Sequence, residues 1–255
     1  MRKKSDAIST VAACRTLIDR MLVNGVPAEA VKIYDGRNKL YKYRLPSGEM
    51  VNIKAFRRPG VLKGLIYGIF TTPKSEKSYR NACELLKLGI STPTPYAHGE
   101  KRAWFGLKLE ASYYVCHHED NVEEVRFWEK WEDRDKFVEA LGAEMSHLFK
   151  QGVFFRDFSP GNVLLASRKP YKFIYVDVNR TTFNVKSRRK MMQMFKRINI
   201  VPAETERLAR VVARNMGWNQ DYTVAEALQI LKKFLWKKDS LLRPVKTFFY
   251  KIFKP

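Results

Sequence analysis

The alternation of apolar and polar positions predicts a small antiparallel sheet in the first half of the chain. Strand-like segments occur at residues 31–34, 40–45, 49–56, 104–110 and 112–115. Two turn sequences, Asp35-Gly36-Arg37-Asn38 and Pro46-Ser47-Gly48, separate the first three segments and favour hairpins. Strands joined by hairpins pair with each other, so the pattern predicts a meander in which residue 54 lies near the end of the third strand.

Apolar residues that recur every three to four positions predict helices on both sides of these strands. Helices are predicted at residues 7–23, 75–88, 133–150, 188–198 and 204–216, and from Thr223 onward. The clearest of these is the amphipathic helix at 133–150, whose apolar face consists of Phe137, Val138, Leu141, Met145, Leu148 and Phe149. A sheet followed by helices is typical of an α+β fold. We expect an accessory N-terminal segment, a small antiparallel-sheet N-lobe, a mostly helical C-lobe and a basic-aromatic tail, at residues 1–30, 31–116, 117–240 and 241–255 respectively.

The stretch after residue 150 suggests a chemistry. Arg156-Asp157 is followed, five positions after the Asp, by Asn162, and a strand-like run from residue 171 then ends in Asp177. Phosphoryl transfer needs a carboxylate that takes the proton of the acceptor hydroxyl, and oxygen ligands for the Mg²⁺ ions that bridge the phosphates. The catalytic loop of protein kinases has an Asp and an Asn at this spacing and a second metal-binding Asp further on. The alternative is a solvated loop beside a strand with a polar end.

A lysine on the third strand belongs to the same kind of site. In kinases this lysine pairs with the α- and β-phosphates and with a Glu on the next helix, and Lys54 occupies the matching position. On the predicted helix at 75–88, Glu76 joins the apolar stripe, so we expect it to be the partner of Lys54. Glu84 is rotated away from that stripe and is the second candidate. A surface lysine and a first-turn Glu are the alternatives.

The helix at 75–88 is predicted to bury the stripe of Tyr79, Cys83 and Leu86, with Ala82 beside it. In the first hairpin, Arg37 is placed to reach a phosphate, although Asp-Gly is first of all an ordinary hairpin turn.

The charge implies an anionic partner. The chain has 48 Lys and Arg against 26 Asp and Glu, a net charge of +22, and the residues from Thr181 onward contain 17 basic and 5 acidic side chains. Nucleic acid, an anionic membrane and an acidic substrate remain open on this ground alone. The basic-apolar stretches at 57–74 and 241–255 favour a membrane interface, although the first also suits a buried insertion. Three scattered cysteines match no metal spacing and indicate free thiols in a reducing compartment.

Taken together, these residues resemble the protein-kinase-like superfamily, and more closely the lipopolysaccharide kinase (Kdo/WaaP) family. The resemblance covers roughly residues 31–215 and depends on Tyr34-Asp35-Gly36-Arg37-Asn38, Lys54, Leu88-Gly89-Ile90-Ser91-Thr92-Pro93, Arg156-Asp157-Phe158-Ser159-Pro160-Gly161-Asn162 and Val176-Asp177-Val178-Asn179-Arg180. Two positions depart from the kinase pattern. Phe155 replaces the usual His, and Asn179 replaces the Gly that follows the metal-binding Asp.

The resemblance implies a two-lobed, protein-kinase-like fold, ATP and Mg²⁺ as cofactors, and a cytoplasmic enzyme peripheral at the inner membrane. By position, Lys54 would contact phosphate, Glu76 would orient Lys54, Asp157 would be the base, and Asn162 and Asp177 would hold metal. We expect a monomer that phosphorylates a sugar hydroxyl, of Kdo or heptose, in a lipid-linked lipopolysaccharide core, at an anionic membrane surface. No nucleic-acid partner is expected, because no zinc-finger or RNP-type motif accompanies the charge.

Two other functions remain as alternatives. The first is a kinase for another acceptor, a protein or a small molecule, although no Ala-Pro-Glu activation segment occurs. The second is a membrane-associated pseudokinase scaffold, against which the joint presence of Lys54, Asp157, Asn162 and Asp177 argues.

Overall fold

The structure is a computed structural model that describes residues 2–57, 71–103, 105–126, 128–198 and 201–252. Most of the predicted basic-apolar stretch at 57–74, and the last three residues of the predicted tail, lie outside the described residues. The chain folds into two compact units. The first comprises residues 1–122 and 174–180, and the second comprises residues 123–173 and 181–255.

The first unit is built on an antiparallel sheet flanked by two helices. Its elements are α1 (Arg2–Asn24), β1 (Val31–Asp35), β2 (Lys39–Arg44), β3 (Met50–Ala55), α2 (Lys74–Lys87), β4 (Pro95–Ala103) and β5 (Lys108–His117). Within the described part of the chain the sheet has five strands in the order β1-β2-β3-β5-β4. The predicted meander of the first three strands is confirmed, with Leu40 opposite Lys54.

The two later strands differ from the prediction. The expected strands at 104–110 and 112–115 are one strand, β5, whose hairpin partner is β4. The turn between them contains Phe105 and Gly106, both with positive φ, which allows a tight reversal at residues where a strand was expected. Strand β4 was missed because its sequence, Pro95 to Ala103, is largely polar and lacks a clear apolar alternation.

Helix α1 contributes one face to the core of the first unit, although its segment was expected to be accessory. Its residues Cys14, Leu17, Ile18 and Met21 are buried against a cluster that includes Leu45, Val51, Ile53, Ala97 and Val115. Gly99 on β4 lacks the Cβ that would meet the side chain of Ile18, so the helix can approach the sheet closely.

The predicted buried stripe of α2 is confirmed only in part. Ala82 is fully buried and Tyr79 packs against a core cluster, whereas Leu86 is 40% exposed. The buried residues of the helix are Ser75, Ser78, Ala82 and Leu85. The two serines can be buried because they are hydrogen-bonded: Ser75 donates to Glu100, and Ser78 donates to the backbone oxygen of Lys74 at 2.8 Å. Because two residues of the buried face are serines, a prediction based on apolar residues alone placed that face too far round the helix.

The second unit combines helices with short strands. Its elements are β6 (Glu123–Glu124), a 3₁₀ turn (Trp128–Lys130), α3 (Arg134–Lys150), β7 (Phe154–Phe155), a 3₁₀ turn (Pro160–Asn162), β8 (Val163–Arg168), β9 (Tyr171–Tyr175), β10 (Thr181–Thr182), α4 (Arg188–Met191), a 3₁₀ turn (Met192–Met194), α5 (Phe195–Ile198), α6 (Pro202–Met216) and α7 (Gln220–Ile252). Strand β9 begins in this unit and ends in the first, where a 3₁₀ turn (Val178–Arg180) follows it.

Helices α3 and α6 form the core of the second unit. The predicted stripe of α3 is confirmed, since all six of its apolar residues are buried. A Cβ at Gly142 would meet Val211 of α6, so the absence of a side chain permits close packing of the two helices. Helix α7 begins before the predicted Thr223, because Asn219 caps it by accepting a hydrogen bond from the backbone N–H of Tyr222 at 2.9 Å. Among the described residues, no helix combines the length and apolarity that a membrane crossing requires.

The burial of α1 predicts unequal effects of two substitutions on the same helix. Met21 is 1% exposed and Val23 is 76% exposed. We expect Met21→Ala to lower the free energy of unfolding by about 2–5 kcal/mol, because it leaves a cavity in the core. Val23→Ala should change it by less than about 0.5 kcal/mol. Chemical denaturation of both variants measures the difference, and equal midpoints would show that α1 is not part of the core.

Candidate active site

Lys54 is positioned by the middle strand of the sheet in the first unit. Strand β3 has β2 on one side and β5 on the other, so Lys54 lies between Leu40 and Tyr114. Val51 and Ile53 are fully buried in the core, and strand alternation therefore turns Lys54 to the opposite face. The Lys54 side chain is only 13% exposed. A charged amine in this setting needs a partner.

That partner is Asp177. The Nζ atom of Lys54 donates to Oδ1 of Asp177 at 2.5 Å, although the two residues are 123 positions apart in sequence. One residue, Val176, separates Asp177 from the end of β9. Asp177 has a φ of 56°, a left-handed conformation that is uncommon outside glycine but better tolerated by Asp. Asn179 donates from Nδ2 to the same Oδ1 at 2.6 Å. The residue that replaces the usual Gly thus fixes the carboxylate of Asp177.

The turn after Asp177 is held from two sides within the first unit. Asn81 of α2 donates from Nδ2 to the backbone oxygen of Val178 at 2.8 Å. On the other side, the backbone N–H of Tyr175 donates to Ser91, and the hydroxyl of Thr92 donates to the backbone oxygen of Tyr175 at 2.7 Å. These bonds fix the backbone that presents the Asp177 carboxylate. The sequence did not single out Asn81, because its only distinguishing feature there is that it is a polar residue next to the buried face of α2.

The structure gives Glu76 and Glu84 other partners than Lys54. Glu76 pairs with Arg80, one helical turn later, at 2.6 Å, and Glu84 pairs with Lys87 at 3.3 Å. The shift follows from the face that α2 buries: with Ser75 and Ser78 inward, Glu76 lies at the margin of the buried face rather than at its centre. The role of Glu76 toward Lys54 therefore stays a prediction, and Asp177 is the carboxylate that contacts Lys54.

Lys74 lies close enough to several charged side chains for them to shift its pKa. Burial and the charge of Arg37, with further contributions from Lys54 and Arg180, lower the pKa of Lys74, whereas Asp177 acts in the opposite direction. Lys74 is the first residue of α2, where the positive end of the helix dipole also disfavours a cation. Lys74 and the three basic side chains that act on it outnumber the one carboxylate among these groups, and an excess of positive charge suits an anion with several charges, such as a polyphosphate. Lys74 and Arg180 were missed because only the fold brings them near Lys54.

In the second unit, the loop after β7 brings Asp157 and Asn162 together. The Nδ2 atom of Asn162 donates to the backbone oxygen of Asp157 at 2.9 Å, and the backbone N–H of Asn162 donates to Ser159 at 2.8 Å. The 3₁₀ turn Pro160–Asn162 closes the loop between them. The five-residue spacing of the sequence therefore produces a closed loop that fixes the Asp157 backbone.

Phe155, which replaces the usual His, is part of the support for this loop. It is 6% exposed, and its ring lies 6.1 Å from that of Phe158, centroid to centroid. Its strand β7 pairs with β10, where Phe155 lies opposite Thr181. An aromatic contact thus anchors the loop at the position where kinases have an imidazole.

The carboxylate of Asp157 forms an ion pair with a residue that the sequence did not suggest. Arg197 of α5 donates from Nη1 to Oδ1 of Asp157. The side chain of Asp157 is 19% exposed, and that of Arg197 is 40% exposed. The two residues are 40 positions apart, so no local motif could have revealed the contact.

Each unit contains a residue whose chemistry suits Mg²⁺, which prefers oxygen ligands. In the first unit Asp177 offers a carboxylate oxygen, and in the second unit Asn162 offers an amide oxygen. Among the described residues, no group of three or more His, Cys, Asp and Glu side chains forms a complete metal cage. One or two protein ligands are the usual number for Mg²⁺ that takes its remaining ligands from phosphates and water.

Comparison with solved structures gives matches at low sequence identity. The structure of WaaP in complex with acyl carrier protein has a TM-score of 0.57 and 16% identity, and the match covers 88% of this chain and 96% of that one. WbdD, solved with a kinase inhibitor, has a TM-score of 0.44 and 18% identity over 78% of this chain and 44% of its own. No protein-family model and no curated protein matches. The WaaP match confirms the expected α+β, protein-kinase-like fold, with an antiparallel-sheet N-lobe and a mostly helical C-lobe.

The excess of positive charge around Lys74 predicts that this lysine strengthens the binding of polyphosphates. We expect Lys74→Ala to weaken the binding of ATP and of tripolyphosphate about tenfold, the effect of losing one charge-assisted contact of about 1.4 kcal/mol. Lys77→Ala removes an exposed charge from the same helix and is the matched control. Isothermal titration measures both affinities, and equal values for the two variants would contradict the assignment.

The same charges predict a dependence of ATP affinity on pH. Because burial and neighbouring cations lower the pKa of Lys74, this amine loses its proton at a lower pH than an ordinary lysine. The affinity of the wild-type protein for ATP should therefore fall as the pH rises toward the alkaline range. Lys74→Ala should show a flatter profile over the same range, since the titrating amine is gone. Parallel profiles would rule out Lys74 as the titrating group.

Proposed function

Because the chain has the protein-kinase-like fold of WaaP, we propose that it is an ATP-dependent kinase that phosphorylates a hydroxyl of a lipopolysaccharide core sugar, Kdo or heptose. The observation that supports the proposal most is the ion pair between Lys54 and Asp177. A strand lysine and the carboxylate after a distant strand are the two residues that a kinase needs beside the nucleotide phosphates. The closed loop of Asp157 and Asn162 supplies the matching base and second metal ligand.

The residues divide the chemistry between them. Lys54, Arg37 and Lys74 bind phosphate oxygens of ATP, and Asp177 and Asn162 are the metal ligands. Bound Mg²⁺ supplies charge neutralisation on the phosphates during transfer. These contacts orient the nucleotide and lower the barrier by positioning and electrostatics, which are the main sources of catalysis in phosphoryl transfer.

Asp157 is the group that receives the proton. As the acceptor oxygen forms its bond to the γ-phosphorus, the hydroxyl proton passes to the Asp157 carboxylate. The bond between the γ-phosphorus and the β,γ-bridging oxygen breaks, and its electron pair leaves with ADP. The products are a sugar phosphate ester and ADP, and the proton on Asp157 returns to solvent.

The charge of the chain supports an anionic, membrane-anchored acceptor. The residues from Thr181 onward have an excess of 12 basic side chains. Lipopolysaccharide presents phosphates and carboxylates at a membrane surface, and each basic side chain near an anionic surface contributes about 1 kcal/mol of attraction. An enzyme peripheral at that membrane, acting as a monomer, is the arrangement we propose.

Two variants test the assignment of the base and the metal ligand. Asp157→Asn keeps the shape of the side chain but not its basicity, so we expect transfer to fall at least about 100-fold while ATP still binds. Asp177→Ala removes a metal ligand and the partner of Lys54, so both transfer and Mg²⁺-dependent ATP binding should be lost. The control Asp221→Asn changes a carboxylate that is 90% exposed and should retain wild-type activity.

Activity is measured as transfer from ATP to Kdo-bearing lipid A, heptose-bearing core, a generic protein and a small aminoglycoside, with melting curves to verify folding. Transfer to a core sugar by the wild type supports the proposal. Transfer to the protein or the aminoglycoside would support a kinase for that acceptor. Binding of ATP with no transfer would favour a pseudokinase scaffold. Undiminished transfer by Asp157→Asn would reject Asp157 as the base.

A further inference from the structure

We propose that Arg197 is a catalytic residue that contacts the transferred phosphoryl group while it also pairs with the Asp157 carboxylate. This inference rests on the proposed function, because it needs a phosphoryl group to move past Asp157. It adds a residue of α5, far outside the catalytic loop, to the reacting groups.

Arg197 is presented by a short helix whose backbone is firmly packed. Phe195 and Ile198, on either side of it in α5, are 0% and 1% exposed. Met194 just before the helix is also buried. The guanidinium therefore starts from a fixed backbone, and its Nη1 reaches Oδ1 of Asp157 across 40 positions of sequence. A fixed donor loses little entropy when it binds an anion.

The loop has no basic side chain between Asp157 and Asn162, and Arg156 directly precedes Asp157. The four residues between Asp157 and Asn162 are Phe158, Ser159, Pro160 and Gly161, and none of them is basic. During transfer, negative charge is spread over the three outer oxygens of the moving phosphoryl group, and enzymes commonly stabilise that charge with an arginine. No side chain between Asp157 and Asn162 can supply this positive charge, and Arg197 is a cation that contacts the base.

Simple geometry places Arg197 within reach of the reaction. A base lies about 2.6–3.2 Å from the hydroxyl oxygen whose proton it takes. That oxygen is bonding to the phosphorus as it does so, and Nη1 of Arg197 already lies at the carboxylate. The acceptor oxygen and the guanidinium thus contact the same carboxylate, so the phosphoryl group that the acceptor attacks passes beside Arg197 in this proposal. Arginine has five N–H donors in a planar fork, and the Asp157 contact uses Nη1.

The exposure of the side chain also fits a second ligand. The side chain of Arg197 is 40% exposed, whereas that of Asp157 is 19% exposed, so the guanidinium has a solvent-facing side beyond its contact with the carboxylate. In the transferring complex, the acceptor oxygen–phosphorus bond forms, the phosphorus–bridging oxygen bond breaks toward ADP, and the proton passes to Asp157. Arg197 neutralises charge on the phosphoryl oxygens and transfers no proton itself.

The experiment must separate this role from simple positioning of Asp157. Equilibrium binding of fluorescent ADP is measured with and without aluminium fluoride, which with ADP imitates the phosphoryl group in flight. Transition-state mimics reveal contacts that form only during reaction. The proteins are the wild type, Arg197→Ala, Asp157→Asn and the double variant, with Arg189→Ala, an exposed charge on α4, as the charge-matched control.

We expect Arg197→Ala to weaken binding of the mimic about 100-fold and binding of ADP alone less than about threefold. The same loss should occur in the Asp157→Asn background, because the phosphoryl contact does not pass through Asp157. Arg197→Lys keeps the charge but loses the planar guanidinium, so it should give an intermediate loss. This variant replaces Arg197→Ala in the experiment if the alanine variant does not fold. Arg189→Ala should bind both ligands as the wild type does.

Two results would overturn the inference, and they differ from each other. If the loss on Arg197→Ala disappears in the Asp157→Asn background, or if ADP and the mimic weaken equally, Arg197 only positions the base or the nucleotide. If the wild type binds neither ADP nor the mimic, the proposed function fails and this inference falls with it.

Discussion

The contact between Lys54 and Asp177 is the constraint on which the arrangement of the candidate residues in the first unit depends. Lys54 is largely shielded from water on the middle strand, and its charge needs a partner there. Asp177 meets it only because the chain adopts a left-handed conformation at that residue and because Asn81, Ser91 and Thr92 fix the flanking backbone. Three further basic side chains and this carboxylate act on Lys74, and an anionic ligand would balance the excess positive charge of these groups.

In the second unit, the Asp157 carboxylate is oriented by a different set of contacts. Asp157 is held through its backbone by Asn162 and through its carboxylate by Arg197. Phe155 packs under the loop where kinases have a polar His, so an aromatic contact replaces a hydrogen bond as the support. In both units the acidic group is thus oriented by a cation and by an amide.

The sequence predicted what local patterns encode. The first three strands, the stripe of α3 and the spacing from Asp157 to Asn162 are short-range features, and the structure has each of them. Features that depend on polar residues were not predicted. Helix α2 buries two serines, and the sequence of β4 is too polar to show the apolar alternation that indicates a strand. Arg197 and the charged groups that act on Lys74 come from segments far apart in the sequence, which only the folded chain brings together. The pairing of Lys54 with Asp177 rather than Glu76 has the same origin.

The most direct test of the account is the position of the transferred phosphate. The wild-type protein is incubated with Mg²⁺ and ATP labelled at the γ-phosphate, together with purified lipopolysaccharide that lacks phosphate on its inner core. The core is then analysed by mass spectrometry and ³¹P NMR. The account predicts a new phosphate ester on Kdo or heptose, formed in step with ADP. Label that appears only as inorganic phosphate, or that stays in ATP, would contradict it.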